Sequence, residues 1–256
     1  MELLQGMEEL AREGGRIMLS AHHISAREKT GDADLVTEYD LAVQETIRTG
    51  LARLLPDARF VGEESKDNRS PSEGKCFVVD PIDGTTNFIK NYRHSAVSIA
   101  YLENGQVERG VVYDPYQNEM FCAKRGKGAF VNQTQIFCSQ VPLSHGVIGI
   151  GTCPYYVDLR TKTLAAAAQL IKQCQDLRRG GSVALDLCYT AAGRLDGFFE
   201  LQLSPWDYAA GSLIVTEAGG VITNLEGNFP GFDVPSPIVA GNPLSVPSLL
   251  KLLASM

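Results

Sequence analysis

Small and apolar residues recur at helical spacing from the start of the chain: Leu3, Met7, Leu10, Gly14, Ile17, Met18 and Ala21 share one face, predicting an amphipathic helix to about His22. A second helix is expected from Thr37 as N-cap, with Tyr39, Val43, Ile47, Leu51 and Leu54 on one stripe and Pro56 beyond its end. The stretch 29–37 between them is too polar and Gly-bearing for a core and reads as a loop able to serve a site. Arg59-Phe60-Val61 and Cys76-Phe77-Val78-Val79 are short runs of strand type. Pro81 then bends the chain, and Gly84 relaxes it where Thr85 and Thr86 can open a helix. Over 95–136 the pattern turns to strands, at 96–101, 107–113, 119–123 and 129–131, with Asn104-Gly105 as a tight turn, which predicts an antiparallel meander.

Beyond Leu143 strand and helix alternate: a strand at 147–151, helices near 163–174 and 182–192, and a strand at 197–200. Ser204 caps a further helix with Pro205 at its first position, and Gly219-Gly220 ends it. Strands at 221–224 and 238–240 close the chain. No repeat or linker is visible, so residues 1–256 are expected to form one α/β (α+β) domain, with an N-terminal α+β half over about 1–142 and a C-terminal α/β half over about 143–256.

Composition narrows the function classes. The chain is 44% hydrophobic and 21% charged, as ordinary globular proteins are. Its net charge of −7 argues against general attraction to nucleic acid or to an anionic membrane, and Arg178-Arg179 is the best basic pair. Six widely spaced cysteines without a CxxC indicate neither a zinc site nor a disulfide framework, which fits a reducing cytoplasm. Met1-Glu2-Leu3-Leu4 carries an acid where a secretory signal carries bases, and no apolar run approaches the ~20 residues that span a bilayer.

The chemistry is concentrated in acids at element ends: Glu63 and Glu64 after the strand at 59–61, Asp80 with Asp83, and Asp207 in the first turn of its helix. Each alone has a bland reading, as a solvated surface pair or as compensation of a helix dipole. If Glu63, Asp80, Asp83 and Asp207 meet, they repel by roughly 4 kcal/mol per close pair at intermediate dielectric, which only cations relieve. All-oxygen ligands select hard ions, so Mg²⁺ is the expected occupant and Mn²⁺ the alternative. Paired ions beside the N–H donors that follow Gly84 suit phosphoryl transfer and point to hydrolysis of a phosphate monoester.

Gly62-Glu63-Glu64-Ser65, Asp80-Pro81-Ile82-Asp83-Gly84-Thr85-Thr86-Asn87-Phe88 and Trp206-Asp207-Tyr208-Ala209-Ala210-Gly211 resemble, in order, the signatures of inositol monophosphatases. Asn87-Phe88-Ile89-Lys90 and 192–200 are similar to the bacterial branch. The resemblance implies a layered αβαβα sandwich, two or three Mg²⁺ per subunit, lithium sensitivity, a homodimer and myo-inositol 1-phosphate as the leading substrate. It implies that Glu63, Asp80, Asp83, Asp207 and the Ile82 carbonyl hold the metal ions, that Glu63 and Thr85 order the attacking water with Asp83 as a further catalytic residue, and that Gly84 and Thr85 donate N–H bonds to phosphate. It places the rest of the substrate against Gly181, Ser182, Val183 and Glu200, and Lys29 near a third ion, where the residue itself reads as a solvated lysine.

Several neighbours read differently from the residues alone. Arg178 could reach the sugar or a second subunit, Arg179 suits solubility, and Glu64 could support Glu63. His94 reads as a satisfied structural histidine, Cys188 as core, and Trp206 as a wedge under the helix that carries Asp207. Two alternatives stand beside the inositol reading. One is another phosphatase of the superfamily, such as a fructose 1,6-bisphosphatase or an adenosine bisphosphate nucleotidase. The other is a regulatory protein, because bacterial relatives of this type also associate with transcription machinery.

Overall fold

Strand β4 (Lys75–Asp83) is buried on both faces, and its alternation sorts the chain into layers. The computed structural model describes residues 2–22, 24–31, 34–65 and 70–254, without the side chains of 28–31 and 34. Ahead of β4 run α1 (Leu3–Leu19), β1 (Ala26–Gly31), β2 (Asp34–Thr37), α2 (Glu38–Leu54) and β3 (Arg59–Gly62). After it come α3 (Thr85–Ile89), β5 (Ala96–Glu103), β6 (Gln106–Asp114), β7 (Glu119–Lys124), β8 (Ala129–Val131) and β9 (Thr134–Ile136). The remainder holds β10 (Val147–Ile150), α4 (Val157–Leu170), β11 (Asp176–Arg178), α5 (Val183–Ala191), β12 (Gly197–Leu203), α6 (Pro205–Glu217), β13 (Val221–Thr223), β14 (Ser236–Gly241) and α7 (Val246–Ala254).

Phe77 and Val79 of β4 pack with Val97, Ile99 and Tyr101 of β5 beneath Met7, Leu10 and Met18 of α1 and Val43, Ile47 and Leu51 of α2. Cys76 and Val78 face the other way, toward Ala184, Leu185 and Leu187 of α5 and Ala210, Leu213 and Ile214 of α6, which also rest on Phe198, Ile238 and Ala240 of the second sheet. The outer face of that sheet, with Ile148, Ile150, Phe199 and Val239, is covered by α4 through Ala166 and Leu170 and by α7 through Leu249 and Leu252. The result is the αβαβα sandwich expected. One sheet runs β3-β4-β5-β6-β7-β8-β9 and the other β11-β10-β12-β14-β13.

Two local irregularities aim side chains at the middle layer. Asp80 pairs with Ser98 but Asp83 with Ala96, so β4 holds one residue more than β5 across that interval. Residues three apart in a regular strand face opposite sides, and this bulge, at Pro81, returns both aspartates to one side. β12 does the same against β14, where Glu200 pairs with Ile238 and Leu203 with Ser236.

The structure departs from the sequence reading in several places. Residues 29–31 and 34–37 pair as antiparallel strands, β1 with β2, rather than forming a loop. The backbone there satisfies its polar groups across the pair, which lets a polar segment be regular away from a core. The helix expected near 163–174 starts at Val157 and ends at Leu170, while β9, β11 and α7 were not foreseen. The side chain of Lys29, expected near a third ion, lies outside those described.

Candidate active site

The cavity sits where the middle layer meets both sheets, and three helices begin at or beside it. α2 carries the first support. Thr37 caps it in a reciprocal box, with its N–H and hydroxyl both donating to Asp40 Oδ2 and the Asp40 N–H returning to Thr37 Oγ1. One turn on, Gln44 Oε1 accepts the Glu64 N–H at 3.0 Å and so holds the Gly62-Glu63-Glu64 turn at the end of β3. A Cβ on Gly62 would lie 2.3 Å from that Gln44 oxygen, which explains the glycine there.

Gly84 stands between β4 and α3 at φ 89, in the left-handed region that glycine tolerates without strain. Ile82 N–H donates to Asp80 Oδ1 at 3.0 Å, and Thr85 Oγ1 lies 3.1 Å from Ile82 O and 3.5 Å from Asp40 Oδ1. Asp83 reaches across to the next helix, where Oδ2 accepts from Ser182 Oγ at 2.6 Å and Ala184 N–H at 2.7 Å, at the N-terminus of α5. Asp207 Oδ2 accepts the Ser204 N–H at 2.7 Å in the first turn of α6. Both carboxylates are thus placed at the positive ends of helices in the middle layer.

These positions enclose a cavity of about 290 Å³ lined by Glu63, Asp80, Ile82, Asp83, Gly84, Thr85, Gly181, Ser182, Val183, Glu200 and Asp207, together with residues discussed below. The residues that the resemblance assigned to metal, water and substrate, Lys29 apart, therefore lie on one surface. Burial drives the Asp80 carboxyl well above the usual carboxylate range, and the charges of Glu63, Asp83 and Asp207 push it further. Asp207 is raised well above its ordinary value, first by burial and then by Asp83 and Glu63. Asp83 rises to about 6, again from burial, held down by its bonds to Ser182 and Ala184. Opposite them, Glu200 rises to about 7 through burial, opposed mainly by the Cys153 N–H that Oε1 accepts at 2.7 Å. Glu200 lies so close over Gly151 that a Cβ there would be 1.9 Å from its Oε2.

Among the described residues, no three His, Cys, Asp or Glu side chains form a group that would hold a metal ion as it stands. One oxygen each of Asp80, Asp83 and Asp207 is already turned to backbone or hydroxyl donors, and a Glu63–Asp80 bond joins two of the acids. The donor chemistry nonetheless fits a hard divalent cation: carboxylates and a carbonyl face one cavity, and their mutual repulsion is what a cation relieves.

Other expectations are corrected. Arg178 pairs with Asp176 and stays outside the cavity, whereas Arg179, read as a solubility residue, lines it and donates to Thr152 Oγ1 at 3.3 Å. The direction of a side chain in a short edge strand followed by a glycine turn is not legible in an Arg-Arg pair. His94 is not satisfied: its Nε2 is buried with no hydrogen-bond partner among the described residues, and its ring meets Tyr189 edge-on. Glu64 does not line the cavity, Trp206 both packs on the central core and lines it, and Cys188 is fully buried as expected. Sequence reasoning missed Asp40 and Gln44, which support the site from α2, and Tyr155, Tyr156 and Asp186, which line the cavity. Asp40 and Gln44, one turn apart and buried on an otherwise apolar helix face, were the available signal.

The chain belongs to the inositol monophosphatase family, whose model matches residues 1–255. It is 40% identical over 245 residues to the Nus factor SuhB of Escherichia coli K12, covering 94% of this chain and 91% of that protein. An IMPase of Thermotoga maritima superposes with a TM-score of 0.90 at 32% identity, over 100% of this chain and 98% of the other. The extragenic suppressor protein suhB of Bartonella henselae does so with a TM-score of 0.90 at 34% identity, over 99% and 98%. The sandwich is therefore the IMPase fold. Among the described residues, no helix is long and apolar enough to cross a membrane.

Proposed function

We propose that the cavity hydrolyses phosphate monoesters with Mg²⁺, with myo-inositol 1-phosphate as leading substrate. The observation that carries this reading is the meeting of Glu63, Asp80, Asp83 and Asp207 in one cavity with the N-termini of α5 and α6. Those four carboxylates and the Ile82 carbonyl would hold the metal. Bound there, Mg²⁺ or Mn²⁺ would neutralise the carboxylates and act as a Lewis acid toward a phosphoryl oxygen. Glu63 and the Thr85 hydroxyl would orient the attacking water for in-line displacement, with Thr85 itself steadied by Asp40 and Ile82 O. The N–H groups of Gly84 and Thr85 would receive the phosphate. Gly181, Ser182, Val183 and Glu200 would receive the ring, although Glu200 Oε1 is already engaged by Cys153, which leaves Oε2 to a hydroxyl. A homodimer, lithium sensitivity and a cytoplasmic location accompany this reading through the family.

Phosphate release from myo-inositol 1-phosphate, fructose 1,6-bisphosphate and adenosine bisphosphate, with and without Mg²⁺ and Li⁺, tests it. Mg²⁺-dependent release that prefers the inositol ester supports the reading, and release from none of them ends it.

The comparisons favour a second reading over inositol specificity. Relatives about as long as this chain are named Nus factors, which supports an association with transcription machinery of the kind implied by the bacterial resemblance. On this reading the chain would co-purify with polymerase factors at stoichiometric yield, and Asp83→Asn would leave that yield unchanged. Absence of any such complex would remove it.

A further inference from the structure

The two ends of the cavity belong to different parts of the chain and are joined by one buried amide. Asn87 of α3, 7% exposed, donates from Nδ2 to His94 O at 2.8 Å and to Gly180 O at 3.0 Å. Around it two left-handed glycines face each other, Gly84 at φ 89 and Gly181 at φ 88. A Cβ on Gly84 would lie 3.0 Å from Gly181 O and 3.1 Å from His94 O, and one on Gly181 would lie 3.0 Å from Asn87 Nδ2. Ser95 Oγ donates to Gly84 O at 2.9 Å and steadies the same corner. The turn at Gly84–Thr85 and the turn at Gly181–Val183 are therefore backbone neighbours, bridged by the Asn87 amide at Gly180 and by the Asp83 carboxylate at Ser182 and Ala184.

We propose that Asn87 is a positioning residue, a latch that sets the separation between the phosphate-receiving turn at Gly84–Thr85 and the ring-receiving turn at Gly181–Val183. This rests on the phosphatase reading for its functional consequence but not for its structural one. Both N–H donors of the amide are used, each by a carbonyl from a different segment, so the side chain cannot turn without leaving buried acceptors unpaired. Aspartate at 87 would place oxygen against the two carbonyls, alanine would leave both without a partner, and serine would keep one donor. Asp83 also crosses to α5, but it reaches the Ser182 hydroxyl and the Ala184 N–H and does not hold Gly180. Arg179 ties the same turn to Thr152 and Arg178 lies in β11, so the amide's own contribution is the bond that carries Gly180 O to α3.

A latch of this kind makes a selective demand. A substrate that must touch both turns suffers when their spacing loosens, whereas an ester bound only through its phosphate does not. For Asn87→Ala we expect kcat/KM for myo-inositol 1-phosphate to fall about 30-fold, mostly in KM, with p-nitrophenyl phosphate changed less than about threefold. Asn87→Ser should fall between, and it stands in should the alanine variant not fold. Amide hydrogen exchange across 178–185 should quicken about tenfold in either variant, with no change outside that segment and the 84–95 corner, whose His94 O also loses its donor. Equal losses on both esters, or unaltered exchange across 178–185, would overturn the latch. If the unmodified chain hydrolyses neither ester, the phosphatase reading fails by itself, and the exchange result alone decides the latch.

Discussion

The floor and the far wall of the cavity both carry buried carboxylates, and they are buried for different reasons. On the floor, Asp80 and Asp207 are raised by burial and then by each other's neighbours, so the charge cost is collective. On the wall, Glu200 is raised chiefly by burial and held by one N–H from Cys153, with Arg179 opposing. A cation placed on the floor relieves several groups together, whereas nothing comparable is needed at the wall. The difference separates a site built to be completed by metal from one built to present a single polar group.

The largest effect should come from breaking the floor. Asp80→Asn or Asp83→Asn should lower Mg²⁺-dependent phosphate release on the order of 10³-fold, measured at saturating ester. Asn at 83 can still accept from Ser182 and Ala184, so the fold should survive, as a circular dichroism melt would show. Release within tenfold of the unmodified chain would mean that these acids are not the reactive centre.

Metal removal sharpens the same contrast through stability. Without Mg²⁺, the Asp83 carboxyl is protonated in both states below pH 3.8, and between 3.8 and about 6 the unfolded chain ionises first, so folded stability falls as pH rises through that window. Saturating Mg²⁺ at pH 7.5 should restore about 2.7 kcal/mol at a hundred times its Kd, read as a rise in Tm, and the rise should shrink in Asp80→Asn. An equal rise in both proteins would place the ion elsewhere.

Glu200 gives the next smaller effect. Its stability penalty develops as pH rises from 4.5 to about 7, is complete above that, and reaches at most about 3 kcal/mol. Glu200→Gln should flatten that part of the stability profile in denaturant titrations and weaken discrimination among sugar phosphates more than turnover of an aryl phosphate. A profile of unchanged slope would show that the side chain ionises freely. The smallest effect belongs to the arginine pair: Arg178→Ala should alter stability by less than about 0.5 kcal/mol, because its partner Asp176 is also on the surface. Arg179→Ala should instead raise KM several-fold, and equal KM values for the two variants would remove Arg179 from the site.

Chemistry that is local in the chain was legible in advance. Thr37 and Ser204 mark the starts of α2 and α6, Pro81 and Gly84 mark a break after a buried strand, and Asp80 with Asp83 stand beside it. Periodicity located the meander and the two helices that cover it, because an apolar stripe or alternation is written into neighbouring residues. It misplaced the ends of α4, whose buried side of Thr163, Ala166, Ala167 and Leu170 is too small to stand out from its exposed Val157 and Leu164. It failed for the strand pair at 26–31 and 34–37 because pairing there is set by backbone bonds rather than by an apolar face.

The sequence by itself determined which acids, glycines and caps this chain has and on which kind of element each stands, since those follow from side-chain chemistry within a few residues. Only the tertiary structure decided that Glu63, Asp83, Gly181, Glu200 and Asp207 share one cavity, that Arg179 rather than Arg178 reaches it, and that Asn87 stands between its two ends. Those relations depend on one-residue bulges and on how two sheets close over the α5–α6 layer. Such packing is settled by contacts between residues up to a hundred or more positions apart, which no local pattern encodes.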